Sequence, residues 1–167
     1  SQRQFTSEGF ERTWALNHNA YFLLTALLRN VLVESSPARI INVASDAHYV
    51  GSMCWDDLQL ARNQYWWGWR AYSQSKLANV LFTRQLAYFL TGSKVTVNAV
   101  HPGFVNTGFH RNNGLLAKTM MVLSLPMQRQ SGTGAETVVW AAISEAAKRI
   151  TGEYLYDCKP RKASERA

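Results

Sequence analysis

The sequence predicts an α/β fold, a mainly parallel sheet with helices packed on both faces, and three observations predict it. Two runs, RIINVAS and KVTVNAVHPG, read as short apolar strands of the kind that a parallel sheet buries on both faces. Stretches with helical spacing alternate with them, and such alternation builds a parallel sheet. Internal repeats and low-complexity segments are absent, so one domain accounts for residues 1–167.

The first helix is expected from a cap at Thr6 or Ser7, with Phe10, Trp14, Tyr21, Leu24 and Leu28 recurring at helical spacing to about Val33. Pro37 in SSPA ends it, because the residue before a proline avoids helical dihedrals. After RIINVAS, residues 46–68 hold Gly51, Asp56, Asp57, Asn63 and Gly68, and read as a long loop with a short helical turn. RAYSQSKLANVLFTRQLAYFL is a second amphipathic helix, closed by Thr91 and Gly92. KVTVNAVHPG follows, and Pro102 and Gly103 stop it. The next stretch lacks a clean period, and its 107–130 part is read as a mobile, partly helical flap. GAETVVWAAISEAAKR is a third helix, GEYLYDC the last strand, and 159–167 a polar, solvated tail.

Composition narrows the function classes. Hydrophobic residues make up 47% and charged residues 17%, a globular balance without the signature of disorder. Cys54 and Cys158 form no metal-ligand spacing, which points to a reducing compartment, the cytoplasm, and to no metal site. No window approaches the ~20 apolar residues of a membrane span. The tail CKPRKASERA carries +3 of the net charge of +7, and no basic stripe alternates with exposed aromatics, so a nucleic-acid partner is not expected.

The chemistry centres on AYSQSKLANVLF. Tyr72 and Lys76 stand four residues apart, so on a helix they share a face. A phenol's ordinary pKa of about 10 is too high for proton exchange near neutrality, and an ammonium within reach lowers it. Such a phenol can act as a general acid or base on an alcohol or carbonyl. Ser45 ends a strand at the edge where parallel sheets bind ligands, and the HPG turn ends another. A serine there can donate to the substrate oxygen as it gains negative charge. Asn17 is a polar residue inside an otherwise apolar helix, and a hydrogen bond back to the helix or a satisfied buried amide accounts for it without function.

Four ordered segments, spanning residues 6–158, resemble the C-terminal part of the short-chain dehydrogenase/reductase family, in its retinol dehydrogenase-like branch. FERTWALNHNAYFLLTALL resembles the family's asparagine helix, and RIINVASDAHYVG its serine strand. AYSQSKLANVLF matches the YxxxK helix, and VNAVHPGFVNTGF the segment beside the nicotinamide. The resemblance implies a doubly wound, Rossmann-like sheet and reversible hydride transfer between NADP(H), in preference to NAD(H), and a small apolar alcohol, aldehyde or ketone. It implies that Tyr72 exchanges the proton, Lys76 tunes Tyr72 and binds the ribose, Ser45 orients the substrate, and Asn17 holds a water linked to Lys76. Pro102, Gly103, Val105 and Thr107 would line the nicotinamide and pyrophosphate, and the flap would close over the substrate.

Three departures are small: Ala44 for a first serine, Ala20 for a glycine, and Asn19 for an apolar residue. A larger one is that neither the Gly-rich T-G-x-x-x-G-x-G turn nor N-N-A-G occurs in the sequence. The chain is therefore expected to carry the catalytic half alone and to be inactive by itself. RIINVAS would form a bare edge, and the chain would be poorly stable or self-associate. A non-catalytic remnant serving as an interaction module is the alternative, since the family's helices commonly build a homodimer. Membrane association through upstream segments is left open.

Overall fold

The computed structural model describes residues 2–103 and 131–167. Among these residues, four strands form one sheet in the order β1-β2-β3-β4. The strands are β1 (Ala38–Val43), β2 (Val95–Val100), β3 (Tyr154–Tyr156) and β4 (Lys159–Arg161). The first three run parallel, with Val43 opposite Val100 and Ala99 opposite Tyr154, and β4 returns antiparallel to β3. The α/β architecture and parallel pairing agree with the sequence reading. Flap residues 107–130, with Val105 and Thr107, lie outside the described residues.

The first helix begins later than expected. Thr6 closes a small local turn, bonding Phe10 through backbone and Oγ1, and Gly9 sits at φ 83. The cap is Glu11, whose carboxylate accepts the Thr13 and Trp14 N–H groups at 3.0 and 2.7 Å. Helix α1 (Arg12–Trp14) passes into a π turn, Ala15–Asn19, before α2 (Ala20–Glu34).

Strand β2 is a buried core strand, with Val97, Ala99 and Val100 at 0% exposure. Strand β1 is half-buried along most of its length and lies at the edge of the described sheet. The edge position agrees with the bare edge expected of RIINVAS, while burial on both faces is only partial because a strand paired on one side is covered by fewer neighbours.

Helix α3 (Trp69–Phe89) covers one face of the sheet, joining Val80 to Ala44, Ala99 and Tyr154, and Leu86 to Val95 and Val97. Helix α4 (Ser131–Ile143) covers the opposite face through Ala141, packed with Val100 and Leu155. The loop that follows β1 approaches α3 closely at Gly51, where an added Cβ would lie 2.6 Å from the Ser73 carbonyl oxygen. The intervening loop is organised by Asp57, which accepts from Ala61, Arg62 and Asn63 backbone N–H groups and from Asn63 Nδ2. Burial raises its pKa, and these bonds outweigh that and hold it at about 2.

The stretch 159–167 is largely exposed, as expected of a polar tail, yet part of it is folded against the sheet. Asp157 and Cys158 take φ of 50° and 56° and turn the chain straight back into β4. Ala163 is then buried, the Ser164 N–H donates to His48 Nε2 at 3.1 Å, and Arg166 donates to the Gly51 carbonyl at 2.9 Å. Both cysteines are free, and no described helix is long and apolar enough to cross a membrane.

Candidate active site

The site lies where β1 and β2 end. Ser45 follows β1 by two residues, while His101, Pro102 and Gly103 follow β2, and the two ends are laced by the Ala44 N–H donating to the Val100 carbonyl at 2.8 Å. Gly103 has φ 83, a conformation that glycine adopts without strain.

Ser45 caps the short turn Asp46–Tyr49, its Oγ accepting the Ala47 N–H at 3.2 Å. The same hydroxyl lies beside the Tyr72 phenol and favours its charged form. The Ser45 carbonyl accepts from the His48 backbone N–H at 3.0 Å and lies 2.7 Å from His48 Nδ1. Because Nε2 accepts the Ser164 N–H, Nδ1 carries the ring proton and donates it to Ser45. Burial keeps the His48 pKa below its ordinary value, consistent with this neutral tautomer.

Helix α3 brings Tyr72 and Lys76 onto one face, as their spacing predicts. Lys76 is buried, and its Nζ donates to the Val43 carbonyl at 3.0 Å while lying 5.7 Å from the centre of the Tyr72 ring. Burial lowers its pKa to about 8. Tyr72 departs from expectation: burial pushes the phenol above its ordinary value, and the neighbouring Ser45 hydroxyl only opposes that rise. The lysine points past the ring to the backbone of β1, so its pull on the phenol does not prevail in this state.

Asn17 lies in the π turn, its Nδ2 donating to Ser75 Oγ at 3.1 Å. Its carbonyl accepts Asn79 Nδ2 at 2.8 Å, and the same amide donates to the Val43 carbonyl at 3.2 Å. Asn17, Asn79, Val43 and Lys76 thus form one polar chain. The sequence reading missed Asn79, which is fully buried, and His18, whose Nδ1 lies 3.0 Å from Asn79 Oδ1. A signal existed, since Asn79 stands three residues after Lys76 on the same stripe as Tyr72.

The described part brings together Asn17, Ser45, Tyr72 and Lys76 through shared hydrogen bonds and neighbours, and sets Pro102 and Gly103 at the same edge. Among the described residues, no group of three His, Cys, Asp or Glu side chains is arranged to hold a metal ion. A phenol, a serine hydroxyl and a buried ammonium are a donor set for moving a proton to or from one oxygen atom.

Comparison with known proteins agrees with that chemistry. Residues 2–157 match the family model adh_short_C2, described as enoyl-(acyl carrier protein) reductase. Retinol dehydrogenase 12 of Bos taurus is 43% identical over 97% of this chain and 50% of its own length. Retinol dehydrogenase 14 of Homo sapiens is 40% identical over 92% of this chain and 46% of its own. The chain thus spans about half the length of these curated relatives. An uncharacterised protein from Mycobacterium paratuberculosis superposes with a TM-score of 0.75 at 30% identity, covering 99% of this chain and 56% of that one. Angucycline C-6 ketoreductase LanV, solved with bound NADP, gives 0.64 at 26% identity over 91% of this chain and 53% of that one. With fold and sequence in agreement, this chain belongs to the short-chain dehydrogenase/reductase family.

Proposed function

We propose that the whole protein is an oxidoreductase that interconverts an apolar alcohol and its carbonyl with NADP(H), and that Tyr72 is its acid/base. The observation that carries this reading is the buried Lys76 one turn along the same helix, its Nζ 5.7 Å from the centre of the Tyr72 ring, with Ser45 beside the phenol. NADP(H), when bound, supplies or accepts the hydride. Tyr72 Oη gives its proton to the substrate oxygen or takes it away, and Ser45 Oγ donates to that oxygen while charge develops on it. Lys76 has three donors, of which Val43 takes one, so the ammonium has donors to offer a ribose hydroxyl. A pKa near 8 lets it hand on a proton near neutrality. Asn17 and Asn79 hold the backbone around it. Pro102 and Gly103, with Val105 and Thr107, would receive the nicotinamide side of the cofactor, and the bare, left-handed Gly103 backbone fits a close ligand approach.

The names of the curated relatives and the NADP in the ketoreductase support the substrate class and the cofactor preference. An interaction module remains the second reading because α2 exposes a row of leucines. The test is NADPH-dependent reduction of apolar aldehydes by the full-length protein and its Tyr72→Phe variant. Turnover should fall by about 100- to 10,000-fold with cofactor binding retained. Equal rates in the two proteins, or no turnover by the folded wild type, would overturn the reading.

A further inference from the structure

We propose that Asp46 is a positioning residue that holds Ser45 and the Pro102–Gly103 turn in register. The proposal rests on the oxidoreductase reading and adds to it a residue that touches none of the reacting atoms. Asp46 is bonded through the backbone to Ser45, and His101 to Pro102. Asp46 Oδ2 lies 3.5 Å from His101 Nε2, so a single polar contact bridges the two segments that shape the site. The same carboxylate accepts the Tyr154 Oη proton at 2.7 Å and lies 3.3 Å from Arg161 Nη1. One side chain therefore ties the end of β1 to the residue after β2 and to strands β3 and β4.

The partners make this junction stiff. Tyr154 and His101 are 1% and 4% exposed. Buried hydrogen-bonding groups cost more when left unsatisfied than a solvated pair gains when made, so both favour the carboxylate in this one place. His101 also stacks on Tyr156 with ring centroids 5.2 Å apart, and Arg161 lies over the Tyr49 and Tyr156 rings at 5.4 and 5.1 Å. Ser45 is then held from both sides: Asp46 fixes its position along the sheet edge, and His48 fixes its carbonyl. If the carboxylate moves, the serine hydroxyl shifts against the HPG turn and against Tyr72.

The experiment is a double-mutant cycle in the full-length protein, pairing Asp46→Asn with Ser45→Ala, read in kcat, KM and melting temperature. Asparagine keeps an acceptor for Tyr154 and gives up the charge that faces His101 and Arg161. In the wild-type background Asp46→Asn should lower kcat by about tenfold or more with KM changed less than about threefold. In the Ser45→Ala background the same change should cost less than about twofold, since the hydroxyl it positions is gone. Tyr154→Phe keeps the buried ring and removes one tie, so it should lower kcat partway; it decides the matter if Asp46→Asn does not fold. Equal cost in both backgrounds, or a lower melting temperature with kcat unchanged, would overturn the proposal while leaving the oxidoreductase reading intact. A folded wild type without turnover would overturn both.

Discussion

Helices α2 and α3 invert the usual relation between composition and burial. Helix α2 is the more apolar of the two, yet Thr25 is its one buried residue, while Phe22, Leu23, Leu24, Leu27, Leu28 and Val31 are exposed. Helix α3 buries Ser73, Gln74, Ser75, Lys76, Asn79 and Thr83. The polar groups of α3 are tolerated inside because each meets a partner. Gln74 spans the Cys54 N–H and the Leu58 carbonyl, Thr83 accepts from Asn42, and Asn79 spans two backbone carbonyls. The comparison shows that α3 lines the core with Leu77, Val80 and Leu86 beside polar groups whose hydrogen bonds are made, while α2 leaves its apolar row uncovered in a chain that spans about half the length of its relatives. The buried polar helix is also the one that bears the candidate chemistry.

The largest effect expected from this contrast is at Lys76. Its pKa is 10.5 ordinarily and about 8 in the fold, so between those values the unfolded chain holds a proton that the folded chain has released. Unfolding then takes up a proton, and raising the pH through that window favours the fold. Relative to Lys76→Met, the wild type should gain on the order of 3 kcal/mol from pH 8 to 10.5 in urea unfolding, and a flat difference would show that the ammonium is solvated. A smaller loss, about 2 kcal/mol, is expected for Asn79→Leu, because the Asn17 carbonyl would lose its donor in a buried setting. A neutral or stabilising result would mean that α3 needs no polar interior. The smallest effect belongs to α2. Leu27, at 71% exposure, should change to Glu with less than about 0.5 kcal/mol lost, while self-association seen by sedimentation falls. A loss of several kcal/mol would show that the leucine row is covered within the monomer.

Tyr72, Lys76 and Ser45 were legible because helical spacing and strand ends are local properties of the chain. Asn17 was legible only as an anomaly; its partner Asn79 becomes evident when α1, the π turn and α3 are packed together. The fourth strand was hidden because its turn, Asp157–Cys158, lacks the Asn-Gly or Asp-Gly pair that marks tight hairpins, and Pro160 argues against a strand except at an edge, where it lies. The helix start was misplaced for a related reason. Thr6 and Ser7 are better caps by residue type, but Glu11 is fixed by Gln59 and Tyr65, neighbours nearly fifty residues and more away. The upward shift of the Tyr72 phenol could not be read from spacing, since it depends on how deeply α3 is buried.

The π turn at Ala15–Asn19 sets the phase of everything after it. It holds one residue more than regular winding needs, and each residue of an α-helix advances the side chains by about 100°. Trp14 faces the interior on one side of this insertion, and Phe22 meets Phe82 of α3 on the other. Removing a single residue from Ala15–Asn19 would rewind the segment and swing α2 by roughly a quarter turn relative to Trp14. The leucine row would then point elsewhere, and the carbonyl that Asn79 grips would return to the helix. Five residues thus act as a fixed gear between Trp14 and the active-site wall, intolerant of a change in length.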